Sequence, residues 1–434
     1  MHNRLISHFN KIINDPFWRN VATLFSGSAI AQALPILILP VITRLYSKEA
    51  LGFYFVYAAI GMLTQIVASL NFELAIIIPK EKKEANTVTQ LSYITVGFVS
   101  LMMLGLIVFV NDYISIRITQ KAFVYLIYAI PLSAFLLGVF NVSIYYLNRQ
   151  NKYRIIATGK ILKAVTFTLS QVVFGFMGNI PSGLIIGLII GQFISALYLI
   201  YKVFADKHFI FTCQFSNLLK MVRKYRDMPV FNTLISVIGT LSNQLPFFFL
   251  SKYFGVVYSG EYGLANRVVS TPMGLIGTSI GQVFYKEAAD VVNKKGNLYH
   301  LVKTTYLRLL KIAFLPFLIL FFLSPWLFPF LFSNEYQVSG QMTQVLIPWL
   351  FMSFLNSPMS YLFDVLNKQR FMAVFHVTYL ITRVGGLFLG YYWTKNALIT
   401  VAIFSAIGFL FNIYIIIYYL SISKQVNIKT YHIN

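Results

Sequence analysis

Long apolar runs recur along the whole chain and constrain its fold more than any other feature. Each run is about 20 residues long, the length an α-helix needs to cross a hydrocarbon core roughly 30 Å thick. Membrane-spanning β-strands alternate apolar and polar residues, so continuous apolar runs predict helices. Only 11% of the residues are charged, against about a quarter in soluble domains. The sequence therefore predicts an all-α polytopic membrane protein.

We predict about 12 transmembrane helices, joined by short connections. They cover residues 21–43, 51–78, 86–111, 122–147, 155–177, 181–203, 228–250, 261–284, 305–332, 341–366, 371–392 and 397–420. This division predicts an N-terminal cytoplasmic or interfacial segment, an N-lobe of six helices, a cytoplasmic linker, a C-lobe of six helices and a cytoplasmic tail. These parts span residues 1–20, 21–203, 204–227, 228–420 and 421–434.

The basic residues predict the orientation of the helices. When alternate connections are assigned to opposite sides, one side carries 23 Lys and Arg residues and the other carries six. Cytoplasmic connections are the ones enriched in Lys and Arg, so both termini are predicted to be cytoplasmic. This arrangement, together with attraction to anionic headgroups, accounts for most of the net charge of +22 without a nucleic-acid partner.

Two short echoes suggest that the second six helices repeat the first six. The fourth predicted span ends in LNRQ at Leu147–Gln150, and the tenth ends in LNKQ at Leu366–Gln369. The pattern LP…YS…GFY that starts at Leu34 returns as LP…YS…GEY from Leu245. An even repeat of this kind is typical of transporters whose two lobes surround a central cavity.

Sequence motifs of enzymes are not found. The chain has no Walker loop, dinucleotide fingerprint, HExxH or nucleophile elbow. We therefore predict a protein that is not an enzyme, with no catalytic residue, no metal site and no cofactor. The single cysteine, Cys213, excludes an intrachain disulfide.

Basic residues inside the predicted spans are the main candidates for a binding site, because a charge within the bilayer is costly unless it faces a cavity or a partner. Arg383 lies near the middle of its span, too deep for its side chain to reach the interface easily. Lys160 and Lys163 share one helix face, and Arg267 lies nearer the outer end of its span. Snorkelling to the interface remains an alternative for Arg267. Cations at such depths favour an anionic substrate, and the planar guanidinium suits phosphate or pyrophosphate.

Glu73 and Asp364, two acidic residues of the predicted spans, are candidates for ion coupling. Glu73 is either an interfacial carboxylate paired with Lys80 or Lys83, or a titratable group in a proton relay. Asp364 is either a residue at the span boundary that pairs with Lys368 or Arg370 in the turn after it, or a coupling group.

The stretch SGSAIAQALPILILPVITRLYSKEALGFYFVYAAIGMLTQIVASLNFELAIIIPK, followed by NRQNKYRIIATGKILKAV after the fourth span, resembles the polysaccharide-transport branch of the multidrug/oligosaccharidyl-lipid/polysaccharide exporter superfamily. The resemblance covers nearly the whole chain and is closest to bacterial flippases for O-antigen and capsule repeat units. It implies ion-coupled alternating access that moves an undecaprenyl-pyrophosphate-linked oligosaccharide from the cytoplasmic to the periplasmic leaflet. It also implies a place in the bacterial inner membrane, contact with membrane lipid, and a polysaccharide polymerase and a chain-length regulator as partners.

A drug or cation antiporter of the same superfamily is the alternative. Such a protein would be expected to carry acidic, cation-binding residues in its lobes, and the first and seventh spans contain no carboxylate. A membrane glycosyltransferase or polymerase would need an acidic catalytic residue and a sizeable outer loop, and neither is found in the sequence.

Overall fold

A computed structural model describes residues 16–109, 121–178, 182–211, 214–293, 296–366 and 369–431 of the 434-residue chain. Several parts of the sequence-based predictions lie outside these residues: residues 1–15 of the N-terminal cytoplasmic or interfacial segment, Cys213, and the middle of the LNKQ turn at residues 367–368.

The described residues are almost wholly helical and contain no β-strand. The α-helices are α1 Pro16–Leu37, α2 Leu39–Leu45, α3 Lys48–Ser69, α4 Lys82–Phe109, α5 Lys121–Arg149, α6 Tyr153–Phe176, α7 Gly183–Phe204, α8 Phe215–Lys224, α9 Thr233–Tyr253, α10 Val256–Asn293, α11 Leu298–Phe332, α12 Gln337–Asn356, α13 Leu362–Val365, α14 Gln369–Thr394 and α15 Ala397–Tyr431. Three short 3-10 helices, Phe72–Ile77, Asn334–Tyr336 and Ser357–Tyr361, and one π-helical turn, Met228–Asn232, join them.

Nine helical segments in the described part of the chain are long and apolar enough to cross a membrane. Their outer faces carry exposed apolar side chains, such as Leu101 on α4 and Phe322 and Trp326 on α11. Such faces are stable only where lipid covers them, because a large exposed apolar surface is costly in water. The predicted class, an all-α multi-pass membrane protein, is confirmed.

The first predicted span is broken in the structure. Helix α1 ends at Leu37 and α2 starts at Leu39, with Pro40 directly inside the second piece. Proline has no N–H to continue the helical ladder, and its ring clashes with the carbonyl four residues earlier. The break therefore follows from the local sequence ILILP.

The second predicted span, 51–78, was wrong in its last third. Helix α3 ends at Ser69, and both Leu70 and Asn71 have positive φ angles, 48° and 54°. Two residues in the left-handed region reverse the chain and close the helix. The 3-10 helix Phe72–Ile77 follows, so Glu73 lies on a short turn packed back into the protein.

The chain forms two compact units. The first comprises residues up to 38, 45–50 and 57–240; the second comprises residues 39–44, 51–56 and 241 onward. Helices α3 and α9 therefore each contribute residues to both units, whereas the predicted lobes were divided at a linker of residues 204–227.

Each unit has its own apolar core. In the first unit the core includes Val96, Phe140, Tyr146, Ile156 and Leu199. In the second unit it includes Phe284, Leu309, Phe354, Phe363 and Tyr419.

The predicted linker contains α8, which packs on the first unit. Leu218 is buried there, and the Lys224 ammonium donates to the Glu84 carboxylate at 2.5 Å. Glu84 also accepts from the Tyr225 hydroxyl at 2.8 Å. The hydrogen bond to Glu84 raises the pKa of Lys224. Residues 215–225 are therefore held against the start of α4 by both apolar and charged contacts.

Candidate functional site: a polar cavity beside a buried arginine

Arg383 is fully buried within the second unit. Its guanidinium carbon lies 3.7 Å from the ring centre of Phe404, 4.0 Å from that of Trp349 and 4.5 Å from that of Tyr379. The side chain has no solvent-accessible surface. A cation over the faces of aromatic rings is attracted by their quadrupoles, most strongly when water is excluded. Three helices, α12, α14 and α15, supply the rings and hold the guanidinium in place.

Only some of the guanidinium N–H groups of Arg383 donate hydrogen bonds. Nη1 donates to the carbonyl of Ser242 at 3.3 Å and to Oδ1 of Asn243 at 3.5 Å. Among the residues that the structure describes, Nε and Nη2 have no hydrogen-bond partner. A buried donor without a partner costs about 1 to 3 kcal/mol, and more when it is charged. No carboxylate in the described ranges lies within ion-pair distance of Arg383, so its positive charge is not neutralised by a counter-ion.

A cavity of about 300 Å³ lies next to this arginine, within the same unit. Asn243 and Trp349, which both contact Arg383, are part of its wall. The other lining residues are mainly amides, hydroxyls and a few apolar side chains: Gln244, Asn266, Ser270, Met273, Gly274, Leu350, Ser353, Phe354 and Ser357. The cavity is therefore neutral and polar at its surface and positively charged behind Asn243 and Trp349.

The sequence-based prediction of site residues did not include these polar lining residues, because it considered only ionisable groups. One signal was available, since LSNQLP places three consecutive polar residues in the middle of an otherwise apolar run. A polar side chain within the bilayer needs a partner or a cavity just as a charge does, although at lower cost. Residues contributed by α10 and α12 could not be assigned to the cavity without the tertiary structure.

Arg267 lies in the same unit and does not line the cavity, although its neighbour Asn266 does. Its Nη1 donates to the hydroxyl of Tyr54 at 2.7 Å, and its guanidinium carbon lies 5.9 Å from that ring centre. The side chain is half-buried. Arg267 is therefore held by an aromatic partner on α3, whereas Arg383 is enclosed in the core.

Lys160 and Lys163 lie in the first unit, on α6. The ammonium of Lys160 donates to the Ser28 hydroxyl at 3.0 Å, and that of Lys163 lies 4.6 Å from the ring centre of Phe140. Both side chains are partly buried. Their spacing at i and i+3 places the two residues on one face of α6.

Glu73 is buried in the first unit, on the 3-10 helix that follows α3. The Ser69 hydroxyl donates to its Oε1 at 3.0 Å, whereas Oε2 has no partner in the described part of the chain. Neither Lys80 nor Lys83 lies within ion-pair distance, so the interfacial pairing that was one alternative for Glu73 is not formed. Asp364 falls on α13, and its side chain lies outside what the structure describes.

A further carboxylate, that of Glu261, corrects the expectation that Glu73 and Asp364 are the acidic groups of the spans. Glu261, at the start of the eighth predicted span, is only 2% exposed within α10. The Ser339 hydroxyl on α12 donates to its Oε2. The sequence placed Glu261 at a span boundary, where its burial could not be recognised.

Comparison with solved structures identifies the fold as that of the MOP superfamily of membrane transporters. The inward-closed structure of the lipid II flippase MurJ matches with a TM-score of 0.71 and 14% identity, over 95% of this chain and 92% of that chain. An inward-facing multidrug resistance MATE family transporter matches with a TM-score of 0.61 and 15% identity, over 93% and 95% of the two chains. A MOP superfamily transporter from Pyrococcus furiosus, whose binding pocket is described as reversed in polarity, matches with a TM-score of 0.62 and 14% identity over 94% and 96%.

A family model described as polysaccharide biosynthesis protein matches residues 41–341. Because this match covers more than half of the chain, the protein belongs to that family. No curated protein sequence matches. The resemblance drawn from the sequence is thereby confirmed at the level of the family and the superfamily fold.

Proposed function

We propose that the protein is a flippase that moves an undecaprenyl-pyrophosphate-linked oligosaccharide repeat unit, of O-antigen or capsule type, from the cytoplasmic to the periplasmic leaflet of the bacterial inner membrane. The observation that carries the proposal is the polar cavity backed by Arg383, a buried cation without a counter-ion in the described ranges. The family description and the transporter fold support it.

The cavity wall suits a sugar. Asn243, Gln244 and Asn266 offer amide donors and acceptors, and Ser270 and Ser353 offer hydroxyls. Such groups fix the orientation of a ligand through hydrogen bonds, while aromatic and apolar side chains cover its less polar faces. Trp349 supplies the aromatic surface here. A volume of about 300 Å³ is at the small end of ligand sites, so this cavity would hold only part of an oligosaccharide.

The charge behind the wall suits the pyrophosphate. Arg383 attracts an anion through Trp349 and polarises the amide of Asn243, to which it donates. Its role would then be to position those two side chains and to supply a positive potential. Arg267, Lys160 and Lys163 would add positive potential elsewhere along the route of the substrate.

The coupling to an ion gradient is assigned to Glu73, with Asp364 as the second candidate. A buried carboxylate with one unpaired oxygen is more stable protonated than charged, unless a cation approaches. Glu73 lies on the turn that follows two residues with positive φ, so a change in its charge would act on a local backbone that is already constrained.

The alternative function, a drug or cation antiporter, fits this cavity less well. A site for organic cations needs a carboxylate, and no carboxylate lines the cavity among the described residues. Glu261, in the same unit, accepts a hydrogen bond from Ser339.

Both termini are proposed to be cytoplasmic, and a polysaccharide polymerase and a chain-length regulator are proposed as partners in the membrane.

Asn266→Leu tests the proposal, because it removes a polar group from the cavity wall. We expect cells that carry this variant to lose surface polysaccharide and to accumulate the lipid-linked intermediate, with the protein present at its normal level. Asn217→Leu on α8, outside the cavity, is the matched control and should leave polysaccharide unchanged. Normal polysaccharide in the Asn266→Leu strain, or a loss of drug resistance without any change in polysaccharide, would refute the proposal.

A further inference from the structure

A second cavity, of about 460 Å³, lies in the first unit where the LNRQ turn joins α5 to α6. Three basic residues line it, Lys80, Lys82 and Arg149, together with the polar side chains of Asn148, Gln150 and Tyr153. The charge distribution of the chain predicts that this end of the helices faces the cytoplasm. We refer to these six residues as the basic pocket.

Arg149 is held in a fixed position by backbone carbonyls. Its Nη1 donates to the carbonyl of Ile77 at 3.0 Å and to that of Ile76 at 3.3 Å, and its Nη2 donates to that of Lys80 at 3.4 Å. These contacts use neutral acceptors, so the full positive charge of Arg149 remains. They also tie the end of α5 to the segment that carries the two lysines.

The rim of the basic pocket is a rigid helix end. The amide N–H of Lys152 donates to the carbonyl of Leu147 at 2.9 Å, and Asn151 has a φ angle of 54°. This combination is a Schellman closure with a left-handed residue after the helix. The Tyr153 hydroxyl donates to Oδ1 of Asn151 at 2.9 Å and fixes the next side chain. The polar groups are therefore arranged before any ligand arrives, which lowers the entropic cost of binding.

Among the described residues, no carboxylate forms an ion pair with Lys80, Lys82 or Arg149. Glu84, whose charge also acts on Arg149, pairs with Lys224 at 2.5 Å, and Asp206 pairs with Lys152 at 2.8 Å. Glu81 stands between the two lysines in sequence, is exposed, and forms no ion pair in the part of the chain that the structure describes. Three cations around one polar cavity favour an anion with several acceptor oxygens, for which phosphate is well suited.

An apolar surface lies directly beside these charges. Ile77, which is also part of the cavity wall, is 44% exposed, and Ile78 is 55% exposed. A free phosphate or a nucleotide would leave both side chains uncovered, whereas the hydrocarbon chain of a lipid would cover them. The combination of a basic cavity with an adjacent apolar surface is the one that an amphiphile with an anionic head requires.

We propose that the basic pocket is a binding site for the phosphate or pyrophosphate headgroup of an anionic lipid in the adjoining leaflet. The site is separate from the polar cavity in the second unit, so it does not depend on the proposed transport of a glycan. A phospholipid and an isoprenoid pyrophosphate share the chemistry that the pocket recognises.

The test measures binding of fluorescent phosphatidylglycerol to the purified full-length protein in a neutral detergent, with fluorescent phosphatidylcholine as the uncharged reference. The variant carries Lys80→Gln and Lys82→Gln, which leave Arg149 and the turn intact. We expect its affinity for phosphatidylglycerol to fall about 30-fold at low salt, since each basic side chain near anionic headgroups contributes about fivefold. Lys207→Gln with Lys220→Gln, two exposed lysines outside the pocket, is the matched control and should bind as the parent does.

Competition identifies the source of the headgroup. Farnesyl pyrophosphate and unlabelled phosphatidylglycerol are compared as competitors at the same concentration. If only farnesyl pyrophosphate displaces the fluorescent lipid, the preferred ligand is an isoprenoid pyrophosphate. If only phosphatidylglycerol displaces it, the preferred ligand is a phospholipid. Displacement by inorganic pyrophosphate as strongly as by either amphiphile would overturn the role of the hydrocarbon chain. Unchanged affinity in the Lys80 and Lys82 variant, or an equal loss in the control, would overturn the site itself.

Discussion

Replacing Arg383 by methionine separates the two effects of this buried arginine, its contribution to stability and its contribution to substrate binding. Methionine fills a similar length of space with a flexible apolar chain and carries no charge. The three surrounding rings of Trp349, Tyr379 and Phe404 would keep an apolar neighbour, while the contacts of Nη1 with Ser242 and Asn243 would be lost.

The expected effect on the free energy of unfolding is small because two large contributions oppose each other. The cation–π contacts are worth about 2 kcal/mol or more when desolvated. The hydrogen bonds are long, 3.3 and 3.5 Å, so they belong at the low end of the roughly 1.5 to 3 kcal/mol that charged hydrogen bonds contribute. Removing the ion from the interior recovers a desolvation penalty of several kcal/mol. We therefore expect Arg383→Met to change stability by less than about 2 kcal/mol.

The expected effect on substrate binding is larger. The guanidinium carbon of Arg383 lies 4.0 Å from the ring centre of Trp349. An anion in contact with the cavity side of that ring would then be about 8 Å from the charge, where the attraction per unit charge is about 2 kcal/mol at an effective dielectric constant near 20. Loss of this attraction weakens binding about 30-fold for each negative charge on the headgroup.

The assay is the flipping of a fluorescent lipid-linked oligosaccharide in proteoliposomes, measured beside thermal unfolding of the same preparation. Arg308→Met, which removes an exposed arginine on α11 of the same unit, is the matched control and should retain both transport and stability. Arg383→Ala should lose stability as well, by about 2 to 5 kcal/mol, since it leaves a cavity among the rings. Parental transport by Arg383→Met, or an equal loss of transport in Arg308→Met, would refute the reasoning.

Two further predictions concern the acidic groups of the first unit. Glu73→Gln keeps an acceptor for the Ser69 hydroxyl, so the variant should fold normally. Its side chain cannot titrate, so its transport rate should be the same with and without an ion gradient. A transport rate that still rises with the gradient would exclude Glu73 from coupling. Asp206→Asn should lower the free energy of unfolding by about 1.5 kcal/mol at neutral pH, because the carboxylate accepts from Lys152 at 2.8 Å and from the Tyr146 hydroxyl at 3.2 Å. Burial tends to raise the pKa of Asp206, but its hydrogen bonds with Lys152, His208 and Tyr146 together hold it below the ordinary value of 3.8. The stabilisation is thus fully present above about pH 4 and is lost as the pH falls through the lowered pKa. The thermal unfolding temperatures of the parent and the variant should therefore converge in acid. A difference between them that stays constant with pH would contradict this assignment.

The helix breaks show which local features the sequence reveals. Pro40 ends the first helical piece through its missing N–H, a property of one residue that can be recognised without a structure. The reversal at Leu70 and Asn71 gave a weaker signal, because asparagine tolerates positive φ but does not require it, and leucine rarely adopts it. The predicted span 51–78 was therefore too long.

Some properties of the charged residues could be predicted from the sequence and others could not. Position along a helix can be counted from the sequence, and that count singled out Arg383, which the structure shows to be buried. Tyr379 lies one turn before Arg383 on the same helix, whereas the contacts with Trp349 and Phe404 could not be counted, because those two residues come from other helices, α12 and α15. The same limit applies to the burial of Glu261.

The sequence by itself determined that this protein is an all-helical multi-pass membrane protein, because the length of each apolar run is a local property that can be counted along the chain. Only the tertiary structure decided that Arg383 lies behind a wall of amides and hydroxyls, and that Lys80, Lys82 and Arg149 surround one pocket. A single apolar span is compatible with many rotations about its own axis, and the packing of neighbouring helices selects the one that the protein uses. Which side chains meet in a cavity depends on that rotation.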